Sequence, residues 1–116
     1  MRIVNLDTFI AMPEGTLYSK YSDMRTIEDG PLIKGESMMP QKDFGYQEIN
    51  AAIDNAGSSD FIDKCDAMKY GETVGMDFHC QGRDGCFDED QLFAVWDRKD
   101  VEQLVDRLKE ALEDSK

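Results

Sequence analysis

His79, Cys80 and Cys86 lie close together in the chain, and their side chains are of the types that hold metal ions or attack carbonyl carbon. Zinc sites require paired ligands such as Cys-x-x-Cys with a second pair further along. Adjacent His79 and Cys80 would instead point to opposite faces of a strand, leaving Cys65 as the residue that could complete a set. A cysteine nucleophile requires a base to form its thiolate. His79 faces away from Cys80 and could reach Cys86 only across a hairpin, and no oxyanion-stabilising pattern accompanies the pair. The simpler reading is that Cys65 and Cys80 fill core space and that His79 is a partly exposed hairpin residue. No catalytic or metal-ligating residue is assigned.

Asp84, Asp88, Glu89 and Asp90 form the densest acidic stretch. A calcium loop places oxygen ligands at alternate positions and closes on a bidentate Glu, an order these residues do not follow. They read as a solvated loop at the entry to a strand, or as acids that meet a basic partner. Gly15, Gly30 and Gly35 match neither a dinucleotide-binding fingerprint nor a phosphate loop, so they serve turns. No cofactor is implied.

The chain has 116 residues with 25 acidic and 13 basic side chains, a formal net charge of −12. Phosphate backbones are held by clustered Lys and Arg that displace counterions, and no such cluster exists here. Direct nucleic-acid binding is therefore disfavoured, and the field suits basic protein surfaces. The acids lie mainly in the C-terminal two-thirds, interleaved with apolar residues. Six Phe, four Tyr and one Trp supply the bulk that disordered acidic tails lack. The length fits one domain over residues 1–116. No apolar run reaches the roughly 18–20 residues that span a bilayer, and the start of the chain lacks the apolar stretch of a secretory signal. Three cysteines without framework spacing then suggest reduced thiols in a cytoplasm.

The elements that would position these residues have α+β character. Val101, Leu104, Val105, Leu108, Ala111 and Leu112 recur at helical spacing and draw one apolar stripe; Asp100 is the expected N-cap, with Gln103 three residues on. Leu92–Trp96 reads as a short buried strand. Val74, Met76, Phe78 and Cys80 alternate with polar neighbours, so residues 73–80 read as a half-buried strand. An Asp-Gly turn between the two predicts a β-hairpin followed by the C-terminal amphipathic helix. A second helix is expected with Phe61, Ile62, Cys65 and Met68 on one face, capped by Ser58 or Ser59 and ended by Gly71. A shorter one is expected over Glu48–Ala56. Thr16–Tyr21 and Leu32–Gly35 read as strands, while Pro13, Pro31 and Pro40 discourage long helices in that half. Tyr18, Tyr21, Phe44 and Tyr46 are assigned to sheet core. The whole is a small, mostly antiparallel sheet with two or three helices.

Leu6-Asp7-Thr8-Phe9, Met12-Pro13-Glu14-Gly15-Thr16-Leu17-Tyr18 and Leu32-Ile33-Lys34-Gly35-Glu36, together with Arg83-Asp84-Gly85 and Phe87 through Val95, resemble small uncharacterised proteins encoded by bacteriophages and prophages. The resemblance implies a genomic setting, an accessory protein acting in a bacterial cytoplasm, and no catalytic residue.

Three functional classes follow. The first is a non-enzymatic protein that docks an acidic surface on a basic host or phage protein, in one version occupying a nucleic-acid-binding or defence protein's site. Its contact residues are Asp84, Asp88, Glu89 and Asp90, supported by Asp97, Glu102, Asp106 and Glu110. The second is a small-ligand or nucleotide binder that uses backbone amides with Arg83, Lys34 or Lys20. The third is a metal-assisted enzyme built on Asp84, Asp88 and His79. The charge favours the first.

Overall fold

Alternation in the strands and a ring-rich first helix build the centre of the protein. The computed structural model describes residues 1–22, 26–28, 30–79, 82–85 and 88–115. The described elements run β1 (Arg2–Val4), α1 (Leu6–Ile10), β2 (Leu17–Tyr21), β3 (Leu32–Met38), β4 (Asp43–Glu48), α2 (Ser58–Lys69), β5 (Gly82–Arg83), β6 (Leu92–Val95) and α3 (Arg98–Asp114). The strands form one sheet in the order β1-β6-β2-β3-β4-β5, with every pairing antiparallel. Both edge strands are very short, which leaves little unpaired backbone to template aggregation.

Register fixes the core. Tyr18 lies opposite Val95, and Lys20 opposite Phe93; Val4 is also paired with Phe93. Tyr18, Phe93, Val95 and Phe44 pack against Leu6 and Phe9 of α1, with Val4, Leu32 and Tyr46 around them. Phe9 stacks on Phe93 at 4.1 Å with the rings 5° from parallel, and it meets Tyr18 at 4.7 Å and Phe44 at 5.0 Å. Asn5 caps α1 by accepting the Thr8 amide. Lys34 is 2% exposed and donates through Nζ to the Gly35 carbonyl and to Ser37 Oγ. Burial pushes its pKa down, opposed by the charge of Glu14.

The α+β class, the antiparallel sheet and the closing helix match expectation, but several local assignments need correction. Leu92–Val95 is a strand, yet it pairs with β1 and β2 rather than with the segment before it. Residues 73–79 form no ladder, because Met76 and Phe78 are about half exposed and do not share a buried face. Residues 48–56 are not helical. The two segments instead meet each other: Ile53 bridges Met76, Asp54 N donates to Gly75 O and Asp77 N donates to Ala52 O. The N-cap of α3 is Asp97, not Asp100. Its carboxylate accepts the Asp100 amide, which starts the helix three residues earlier through Arg98 and Lys99, both good helix formers.

α2 lies where expected, with Tyr70 and Gly71 after it, but its N-cap is Gly57 rather than Ser58 or Ser59, which are already helical, and it buries no residue. Asp60 in its first turn accepts the Ala56 amide and faces Lys64 at 3.4 Å. The amide hydrogen bond and the Lys64 charge hold its carboxyl below the usual carboxylate range. A carboxylate with a depressed folded pKa contributes stability above its unfolded pKa and loses it as pH falls through the folded value. The Ala56 amide resonance should therefore titrate together with the Asp60 carboxyl, at a midpoint below that of a free carboxylate. NMR titration checks this, and an Asp60 midpoint at or above the free value would contradict it.

Candidate functional site

Of the acids that sequence reasoning placed on a docking surface, Asp84 behaves differently from the rest. Asp43, at the start of β4, is buried, and its Oδ1 accepts the amides of Phe44 at 2.8 Å and Gly85 at 2.9 Å. Its Oδ2 pairs with Arg83 Nε. The Asp84 amide donates to the Phe44 carbonyl. This arrangement turns the Asp84 side chain inward, where it meets Lys20 Nζ at 3.1 Å and is only 10% exposed. Asp84 is a strut between β2 and the loop after β5, with little carboxylate left for a partner.

The other acids are outside. Asp88 Oδ1 accepts the Asp90 amide and the Asp88 carbonyl accepts the Gln91 amide, a tight turn that leaves Asp88, Glu89 and Asp90 exposed just before β6. Gln91 anchors the turn by donating to the Tyr21 and Leu92 carbonyls. Asp97 caps α3 with its carboxylate still 64% exposed. Glu102 pairs with Arg98 at 3.0 Å and Glu110 with Arg107 at 3.9 Å, all on the helix surface. Asp106 is exposed between them. The structure thus divides the expected contact set into one buried strut, one turn and one helix.

Seven of the thirteen cations are paired or buried within the fold. Lys20, Lys42, Lys64, Arg83, Arg98 and Arg107 each lie 3.9 Å or closer to a carboxylate, and Lys34 is in the core. This also bears on the ligand-binding reading, because Arg83, Lys34 and Lys20 are the cations it would use and each is already engaged. A cleft of about 580 Å³ runs between β4 and the start of α2, past Tyr46, Gln47, Phe61 and Ile62. It is lined by side chains other than those three cations. Gln47 borders this cleft, and its buried Oε1 lacks a hydrogen-bond partner among the described residues.

For metal chemistry, no three His, Cys, Asp or Glu side chains converge among the described residues. His79 is exposed and its amide donates to Asp77 Oδ1, while Cys65 is half-buried on α2. Cys80 and Cys86 lie outside the described residues. No described helix is long and apolar enough to cross a membrane.

The spacing of Val101 to Leu112 also predicts one apolar stripe along α3. The helix buries no residue, and Val105, Leu108 and Leu112 are 45%, 58% and 69% exposed. The periodicity was legible, but whether anything covers it was not. Comparison with protein-family models, curated proteins and solved structures returned no match.

Proposed function

We propose that this chain is a non-enzymatic, acidic protein-binding module whose exposed carboxylates dock on a basic partner protein. The observation that carries this reading is that seven of its thirteen cations are paired or buried within the fold. Buried Lys34 and the ion-paired Lys20 and Arg83 leave the outer field to acids such as Glu89, Asp90 and Asp106. A net charge of −12 then steers basic surfaces toward the protein. The resemblance to phage-encoded proteins makes a host or phage nucleic-acid-binding or defence protein the fitting class of partner, and the bacterial cytoplasm the fitting place.

The test is a tagged pull-down from nuclease-treated bacterial lysate at about 0.1 M and about 1 M salt, where the Debye length falls from about 10 Å to about 3 Å. A stoichiometric basic partner is expected at low salt and should be lost at high salt. Converting Glu89, Asp90 and Asp106 to Lys, while keeping Asp88 to hold its turn, should weaken that capture about tenfold or more. Circular dichroism should stay unchanged. Capture that survives both salt and reversal would place the contact elsewhere.

A further inference from the structure

We infer that the exposed stripe of α3 is a self-association surface, on which the α3 of a second copy packs antiparallel. The N-terminal turn of α3 is rooted, since Asp100 meets the Met1 amine at 2.6 Å, Val101 is half-buried, and half-buried Leu104 lies beside Trp96. From Val105 to Ser115 every residue is exposed. A lone helix of this length is marginal in water, because helices in proteins draw most of their stability from a packed apolar face. Val105, Leu108 and Leu112 form such a face with nothing on it.

The dimensions leave room for a second copy. The radius of gyration is 15.9 Å, against about 13 Å for a compact chain of this length. The accessible surface is 8261 Å², against about 6,400 Å² for a compact monomer of this mass. The excess, about 1,900 Å² on one chain, exceeds the roughly 800 Å² that each partner contributes to a standard interface.

Charge selects the occupant and its direction. At 100° per residue, Arg98, Glu102, Lys109 and Glu113 line one border of the stripe. An antiparallel pair related by a two-fold axis, with Val101 opposite Leu112 and Val105 opposite Leu108, brings this border against itself reversed. Arg98 then lies beside Glu113 of the second copy, and Glu102 beside Lys109. Each pairing occurs twice by symmetry. On the other border the same register sets Asp100 near Asp114 of the second copy and Arg107 near its own counterpart, but Asp100 is already compensated by the Met1 amine of its own chain. Parallel pairing would set Glu113 against Asp114 and Lys109 against Arg107, like charge on like. The intrahelical Arg98–Glu102 pair is 92% and 63% exposed and is readily exchanged for these contacts. The back of each helix, with Asp106 and Glu110, stays free in the dimer.

Sedimentation equilibrium from about 1 to about 200 µM decides the matter, a range in which ordinary interfaces of this size are populated. The expected mass is twice 13.2 kDa at the upper end. Leu108→Glu should weaken association about a hundredfold or more, because it places two carboxylates in the apolar seam. Far-ultraviolet and Trp96 near-ultraviolet circular dichroism report whether the sheet is intact in that variant. Glu102→Lys and Lys109→Glu should each weaken the dimer when made singly and restore it when combined, which a parallel pair would not do. A monomer across the whole range overturns the inference, as does a dimer that survives Leu108→Glu or ignores the charge exchange. None of these outcomes depends on the basic partner, whose capture is read separately.

Discussion

Replacing Phe9 by alanine is expected to cost about 3–5 kcal/mol, the range for deleting a fully buried ring. For a domain whose whole stability is of order 5–15 kcal/mol, that is enough to leave it partly unfolded at room temperature. Phe9 is 0% exposed and lies at the junction of Phe93, Tyr18 and Phe44. α1 has five residues, far too few to be helical alone. Its apolar anchors in the core are Leu6 and Phe9, so losing the ring both opens a cavity and loosens the helix that covers the sheet. The buried Lys34 ammonium, 5.8 Å from the Phe9 ring centre, would then be reached by water. Urea unfolding followed by Trp96 fluorescence measures the effect. Ile62→Ala on α2, where the side chain is 60% exposed, should shift the midpoint little by comparison. Similar shifts for the two variants would show that the aromatic cluster does not dominate the core.

The elements that could be read from the sequence are those whose signal is local. The stripe from Val101 to Leu112 announces α3, the spacing of Phe61, Ile62, Cys65 and Met68 announces α2, and the run Leu92–Val95 announces β6. The five residues of α1 and the three of β1 are shorter than any period can establish. Strand partners were not readable either. β6 pairs with Tyr18 and with Arg2, both more than seventy residues upstream, whereas the Asp-Gly signal at Asp84 suggested a neighbour. The candidate site repeats this pattern. Asp84 looks like an exposed loop acid in the chain, and only Lys20, 64 residues away, turns it into a strut. Asp43 drew no notice, since an Asp at the head of a strand reads as polar punctuation until its burial is known. The stripe of α3 is legible as a period, but the period is the same whether a sheet, a second molecule or solvent lies over it.

Removing the Asp43 carboxylate should be the second most damaging change, at about 3 kcal/mol, and its consequences should be local before they are global. The side chain is 3% exposed. Asp43→Ala leaves the Phe44 and Gly85 amides without this acceptor and frees Arg83 from its partner. The pairing of β5, Gly45 with Arg83 and Tyr46 with Gly82, covers two residues on each strand and cannot persist unaided. Once β5 leaves, the Asp84 amide loses the Phe44 carbonyl and the Lys20–Asp84 pair opens. Asp43→Asn keeps the shape and one acceptor and should cost less, as should Arg83→Ala, which leaves the buried Asp43 carboxylate its two amide donors but not its cation. Urea midpoints give the order. Hydrogen exchange gives the mechanism: in Asp43→Ala the amides of Asp84 and Gly85 should exchange rapidly while those of β2 and β6 stay protected. If the Asp84 and Gly85 amides remain protected without the carboxylate, the loop is held by its own ladder and Asp43 is not its anchor. If they open as expected, Asp84 becomes exposed and joins the outer acids, so the variant should bind a basic partner more tightly even as it becomes less stable.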